Sequence, residues 1–184
     1  MRLVYDKNFK IAKTANDRRL QFVLIFAMLL ATTLVVGCVS LSIGPKAASK
    51  SSGVTFDSPS GPFSALSDTK ADGAWEDKKN GNVISYLSAC GDSVDDTPLT
   101  ESATETFSDL KDLKTIKAQA TTFNGREAYD SEVEGSVEGV ATRIRAMLFH
   151  KNGCLYTLTY VGLAPSFDTD RESFNTFLKS FHAP

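Results

Sequence analysis

Residues 20–37, LQFVLIFAMLLATTLVVG, carry no formal charge. Such a run enters a bilayer without desolvating an ion. The flank before it holds Arg2, Lys7, Lys10, Lys13, Arg18 and Arg19 against Asp6 and Asp17. A positive excess there keeps the N-terminus cytoplasmic and directs the following chain across the membrane. Positive flank, apolar stretch and small residues at the exit together describe an export signal. About 18 apolar residues also suffice to span a bilayer, so an uncleaved transmembrane anchor is a second reading. A buried core helix is a third.

The run closes on Val35-Val36-Gly37-Cys38. Gly37 suits a cleavage site, which must be narrow and extended. This ending resembles the lipobox of bacterial lipoproteins. The resemblance implies that residues 1–37 are a signal peptide and that Cys38 carries lipid, palmitate-type chains included. More than one acyl chain makes such anchoring stable. Val39 is not the aspartate that the class associates with inner-membrane retention. In a host with two membranes, the resemblance therefore implies the cell envelope, facing the periplasm, at the outer membrane.

Removal of the signal leaves 147 of the 184 residues, enough for one domain. The overall net charge of −2 hides a split. The mature part holds 14 basic and 20 acidic residues. That balance argues against nucleic acid, whose binding needs a basic face. With Cys38 lipidated, Cys90 and Cys154 remain as an even pair in an oxidising compartment, which predicts a disulfide. Two buried free thiols are the alternative.

Residues 38–53 lack periodicity and read as a flexible tether, with one α+β domain over 54–184. Val54–Phe56 reads as a short strand, stopped by the loop containing Pro59 and Pro62. Residues 73–78 and 82–89 flank Asn80-Gly81, a hairpin signal, and include Trp75, expected in the core. Pro98 suits a first helical turn with Thr97 as N-cap, and Leu99, Ala103, Phe107 and Leu110 form one helical stripe. From Lys114, Ile116, Ala118 and Ala120 alternate with Lys117 and Gln119. Asn124-Gly125 reverses the chain into Arg126–Glu134, and Gly135-Ser136 with Glu138-Gly139 turn it again. Val140–His150, a third Asn-Gly at 152–153 and Cys154–Val161 complete an antiparallel meander. A closing helix has capping-box spacing at Thr169–Glu172 and an apolar stripe of Phe174, Phe177, Leu178 and Phe181. An antiparallel sheet with two helices is the predicted architecture. Cys90 ends one strand and Cys154 begins another, so antiparallel neighbours bring them together.

The helix after the first hairpin, the meander with Asn124-Gly125-Arg126-Glu127-Ala128, the Cys154–Gly162 strand with Tyr156 and Tyr160, and the final FNTFLKSF helix are similar to the PsbP-like family over Val54–Phe181. The resemblance implies a small extrinsic domain that docks on other proteins without an enzyme active site.

No catalytic, cofactor-binding or metal-binding residue is assigned. G-x-S-x-G, H-E-x-x-H and phosphate-binding glycine loops are absent from the chain. His150 with Cys154 as a thiol pair needs a free sulfur, which the predicted disulfide removes. His182 lies near the terminus and is expected to fray. Asp92, Asp95 and Asp96 lack the spacing of a calcium loop. Glu101 and Glu105 are read as a solvated helix face. The leading expectation is a non-enzymatic binding or assembly module with an envelope protein partner. The partner site lies on a sheet face or helix edge. The rivals are an envelope hydrolase and a small-ligand carrier with a pocket between sheet and C-terminal helix.

Overall fold

The computed structural model describes residues 49–91, 94 and 97–184. The expected signal peptide, Cys38, most of the tether, and Asp92, Asp95 and Asp96 lie outside the described residues.

Seven strands form one antiparallel sheet: β1 Phe63–Ala65, β2 Gly73–Asp77, β3 Asn82–Cys90, β4 Lys111–Phe123, β5 Arg126–Val137, β6 Val140–Lys151 and β7 Cys154–Leu163. Their spatial order is β1-β2-β3-β7-β6-β5-β4. After β3 the chain crosses one face of the sheet through helix α1, Leu99–Thr106, and reaches the far edge. It returns strand by strand through β4, β5 and β6 until β7 lies beside β3. A 3-10 turn, Phe167–Asp170, then leads into helix α2, Arg171–Ser180, on the opposite face. The α+β architecture expected from the sequence is the one observed.

Asn124-Gly125 and Asn152-Gly153 make two-residue turns, with φ of 51° and 71°, and 52° and 72°. Positive φ at both central residues matches the twist of the flanking strands, and Asn and Gly adopt it at least cost. Glu138-Gly139 forms the β5–β6 turn in the same way, so Gly135-Ser136 does not turn the chain but continues β5. Glycine is needed at 135 for another reason. A Cβ there would stand 2.7 Å from the Lys111 carbonyl oxygen and 3.0 Å from the Leu110 side chain.

The pleat of β7 divides the core. Cys154, Tyr156, Leu158 and Tyr160 are buried under α2, against Phe149, Phe174, Phe177 and Phe181. Phe149 stacks on Tyr156 with centroids 4.9 Å apart, and Tyr160 stacks on Phe174 at 5.6 Å. A smaller cluster on the other face joins Ala103, Phe107 and Leu110 to Val133, Ile144, Ala146 and Leu148. Both helical stripes read from the sequence are thus the buried ones. Trp75 lies in the larger cluster, as expected.

Several local expectations are corrected. Val54–Phe56 is not a strand. Thr55 alone bridges His182, with N–H to O distances of 3.0 and 2.8 Å, and Phe56 turns inward among Trp75, Tyr86, Phe177 and Phe181. The first strand instead starts at Phe63, directly after Pro62. The same bridge holds the C-terminus, so His182 does not fray; Asn124 Oδ1 also accepts from the Ala183 amide at 3.0 Å. Pro98, not Thr97, stands at the N-cap position of α1, without a side-chain cap. The capping box at Thr169 does not form. Asp170 occupies the N-cap position of α2, and its carboxylate accepts from Asn82 Nδ2 at 2.7 Å and Asn80 Nδ2 at 3.1 Å. Satisfying those buried amides outweighs a surface cap. β4 starts at Lys111 and carries two register shifts, the second between Thr115 and Lys117, which leaves Ile116 without a register partner, and Ile116, Ala118 and Ala120 are all exposed on this edge strand. Bulges of this kind blunt an edge strand against unwanted pairing. The chain is bonded to the sheet before Val54: Ser49 pairs with Cys90, and the Ser51 amide donates to Ser88 Oγ at 2.9 Å.

Cys90 and Cys154 are opposite one another in the β3–β7 register and are joined as a disulfide. The bond closes a loop of sequence separation 64. In the chain-entropy account a loop of that size contributes about 4 kcal/mol, and measured values commonly run 2–4 kcal/mol. A Cys90→Ser, Cys154→Ser double variant is expected to lose about 2–4 kcal/mol in denaturant unfolding. An unchanged unfolding midpoint would show that the bond contributes nothing to the folded chain.

Candidate functional site

The two faces of the sheet differ in what they leave open. Under α2 the far half of the face is filled by charges. Asp130 and Glu132 alternate along β5 and meet Arg145 and Arg143 of β6. Asp130 accepts from Arg145 Nε and Nη2, each at 3.0 Å, and from Lys117 Nζ at 2.6 Å. Glu132 pairs with Arg143 and with Arg171 of α2, the latter at 2.7 and 3.1 Å. The guanidiniums of Arg143 and Arg171 lie 5.0 and 5.1 Å from the Phe167 ring centroid. Burial works against the charge on Asp130, but Arg145 and Lys117 outweigh it and hold the carboxyl below its ordinary value. Burial likewise opposes the Glu132 charge, and Arg171 with Arg143 overcomes it. Tyr160 donates to the Phe167 carbonyl at 2.5 Å, and burial with nearby Asp170 pushes its hydroxyl above the usual range. This network ties α2 to the sheet. The space expected between sheet and C-terminal helix is filled by rings and ion pairs, so the open surface lies elsewhere.

It lies on the α1 face. With eight residues, α1 packs on β5 and β6 and covers β3 and β7, the central strands, only in part. Their outward residues are Val83, Ser85, Leu87 and Ala89 on β3, and Leu155, Thr157, Thr159 and Val161 on β7. None is charged. Leu87 is 44% exposed, and Leu163 beyond the strip 45%. Ser85 and Thr159 satisfy one another across the strands at 2.7 Å. Ser102, Glu105 and Thr106 of α1 form one bank and Lys70-Ala71 the other, enclosing a channel of about 490 Å³. A second, shallow cleft of about 570 Å³ lies at the start of α1, lined by Leu99, Arg126, Tyr129 and His150.

The residues singled out in the sequence do not converge. His150 points to the α1 face with its Nε2 buried and unpartnered, whereas Cys154 points to the α2 face and is bonded to Cys90. The pleat therefore separates the thiol pair weighed above. Glu101 and Glu105 are exposed on α1, as expected. Among the described residues, no cluster of three or more His, Cys, Asp or Glu is placed to hold a metal, and no helix is long and apolar enough to cross a membrane. The channel was legible only as a strand with alternate hydroxyl and aliphatic residues. That its neighbour β3 presents a matching row depends on register. The Asp130–Glu132 network was missed because acidic residues on a strand read as solvent-facing; the paired Arg143 and Arg145 were its one sequence signal.

No family model matches the chain, and no curated protein matches it in sequence. Solved structures do. The cyanobacterial PsbP protein CyanoP from Synechocystis sp. PCC 6803 is 17% identical with a TM-score of 0.52, over 78% of this chain and 96% of that one. LpqN of Mycobacterium tuberculosis, described as involved in cell envelope biogenesis, is 14% identical with a TM-score of 0.55, over 74% of this chain and 86% of that one. At these identities the likeness is one of fold, and that fold is PsbP-like.

Because Asp130 and Glu132 titrate below their unfolded values of about 3.9 and 4.3, their stabilisation is complete above about pH 5 and is lost as pH falls through the lowered native values. The thermal midpoint is expected to hold between pH 7 and 5 and to drop below about pH 4. Asp130→Asn is expected to cost about 3 kcal/mol at pH 7, since it uncouples the buried Arg145. The same variant is expected to show a shallower acid drop; an acid slope equal to that of the wild type would remove Asp130 as its source.

Proposed function

We propose that the chain is a membrane-tethered envelope lipoprotein, anchored through lipid on Cys38, whose domain acts as a non-enzymatic docking module for an envelope protein. The observation that carries the docking part is the uncharged, part-exposed channel over the two central strands beside α1. Leu87 stands 44% exposed there beside Ala89 and Leu155, and contiguous apolar surface left open to water marks an interaction site. The leader supports the anchoring part: its positive flank, apolar run and Gly37-Cys38 ending all precede the folded domain. LpqN, of the same fold, is described as involved in cell envelope biogenesis, which supports the compartment. The residue after Cys38 favours the outer membrane, facing the periplasm. Ten residues separate Cys38 from Ser49, so the domain stands within about 40 Å of its anchor.

Intact mass of the protein extracted from membranes tests the anchoring part. The expected mass is that of residues 38–184 plus acyl chains, rising by two hydrogens on reduction. Cys38→Ser is expected to lose the acyl mass and keep the leader. A native chain that retains Met1 and incorporates no lipid would replace the lipoprotein reading with the uncleaved anchor.

A further inference from the structure

The dimensions of the open face point to a particular occupant. β3 and β7 are neighbours about 4.8 Å apart, so their uncovered strip is about 10 Å wide, the diameter of one α-helix. From Leu155 to Thr159 the floor runs about 13 Å, which about nine helical residues span. The outward side chains are short or aliphatic, so a helix approaches closely, side by side with α1. The banks carry opposite charge, Lys70 on one side and Glu105 on the other, both exposed, and among the described residues neither has an ion-pair partner.

We propose that this channel receives an amphipathic α-helix of an envelope protein partner. The helix lays an aliphatic face on Leu87, Ala89 and Leu155. It sets a basic residue toward Glu105 and an acidic one toward Lys70. The inference rests on the docking-module reading and names the partner's chemistry. A second copy of this chain fits poorly. It would bring its own α1 into the strip, and the outward Glu101 and Glu105 of that helix would lie on an uncharged floor facing another Glu105. Burying unpaired carboxylates is costly.

The test uses the full chain in its native membrane, with a photo-crosslinking phenylalanine analogue at Leu87 in the channel and, separately, at Ile116 on the β4 edge. The expected result is a heterologous adduct at Leu87 whose crosslinked peptide has apolar residues at i, i+3 or i+4, and i+7. That peptide, synthesised alone, is expected to gain helical circular dichroism on binding purified full-length protein. Thr157→Arg is expected to lower the adduct yield at least about tenfold with an unchanged thermal midpoint, and Glu105→Lys and Lys70→Glu to weaken peptide binding. A Leu87 adduct to a second copy, to lipid or to a non-helical segment would overturn the helix proposal, as would no adduct at Leu87 with one at Ile116, in which case the docking reading survives. Absence of protein adducts at both positions would overturn both.

Discussion

The two-residue alternation of β7 governs the molecule. Tyr156, Leu158 and Tyr160 are fully buried on one side of this central strand, while Leu155, Thr157, Thr159 and Val161 stand on the other. Slipping the strand by one residue would exchange the two sets and put two tyrosines and a leucine into water. The disulfide pins the same register at the strand's first residue, where Cys154 faces Cys90. Packing of α2, the seat of Phe56 and the bare channel all follow from which side the aromatic set takes.

Aromatic rings and ion pairs share the α2 face in an ordered way. Near β3 and β7 the layer under the helix is packed with the rings of Trp75, Phe149, Phe177 and Phe181. Toward β5 the same layer holds Asp130 and Glu132, each with two cationic partners. A carboxylate so placed would be prohibitive alone, and Arg145, Lys117, Arg143 and Arg171 compensate it. Arg171 sits at the first position of α2, so the helix start is locked to the sheet by charge while its middle is locked by rings. α1 has neither device. It is short and rests on a small apolar cluster with no ion pair to the sheet among the described residues.

That inequality leaves the sheet half covered. A seven-stranded sheet with one short helix on a face leaves part-exposed the strands that the helix does not fully cover, and here those are central ones. The tether joins at Ser49, beside the disulfide, at one end of these same strands. The disulfide, the Ser49 bridge and the open channel thus all involve the same pair of strands, β3 and β7.

Periodicity and turn chemistry in the chain determined the strands of the meander, both helical stripes and the Asn-Gly reversals, because each is a local pattern of neighbours within a few residues. The charged and apolar ordering of residues 1–38 likewise determined the expected leader without reference to any fold. Only the tertiary structure decided that α1 and α2 take opposite faces, that β3 presents a row matching that of β7, and that His150 and Cys154 point apart. These outcomes depend on strand order, register and the side from which a helix crosses. They are set by contacts between residues far apart in the chain, and local sequence carries no record of them.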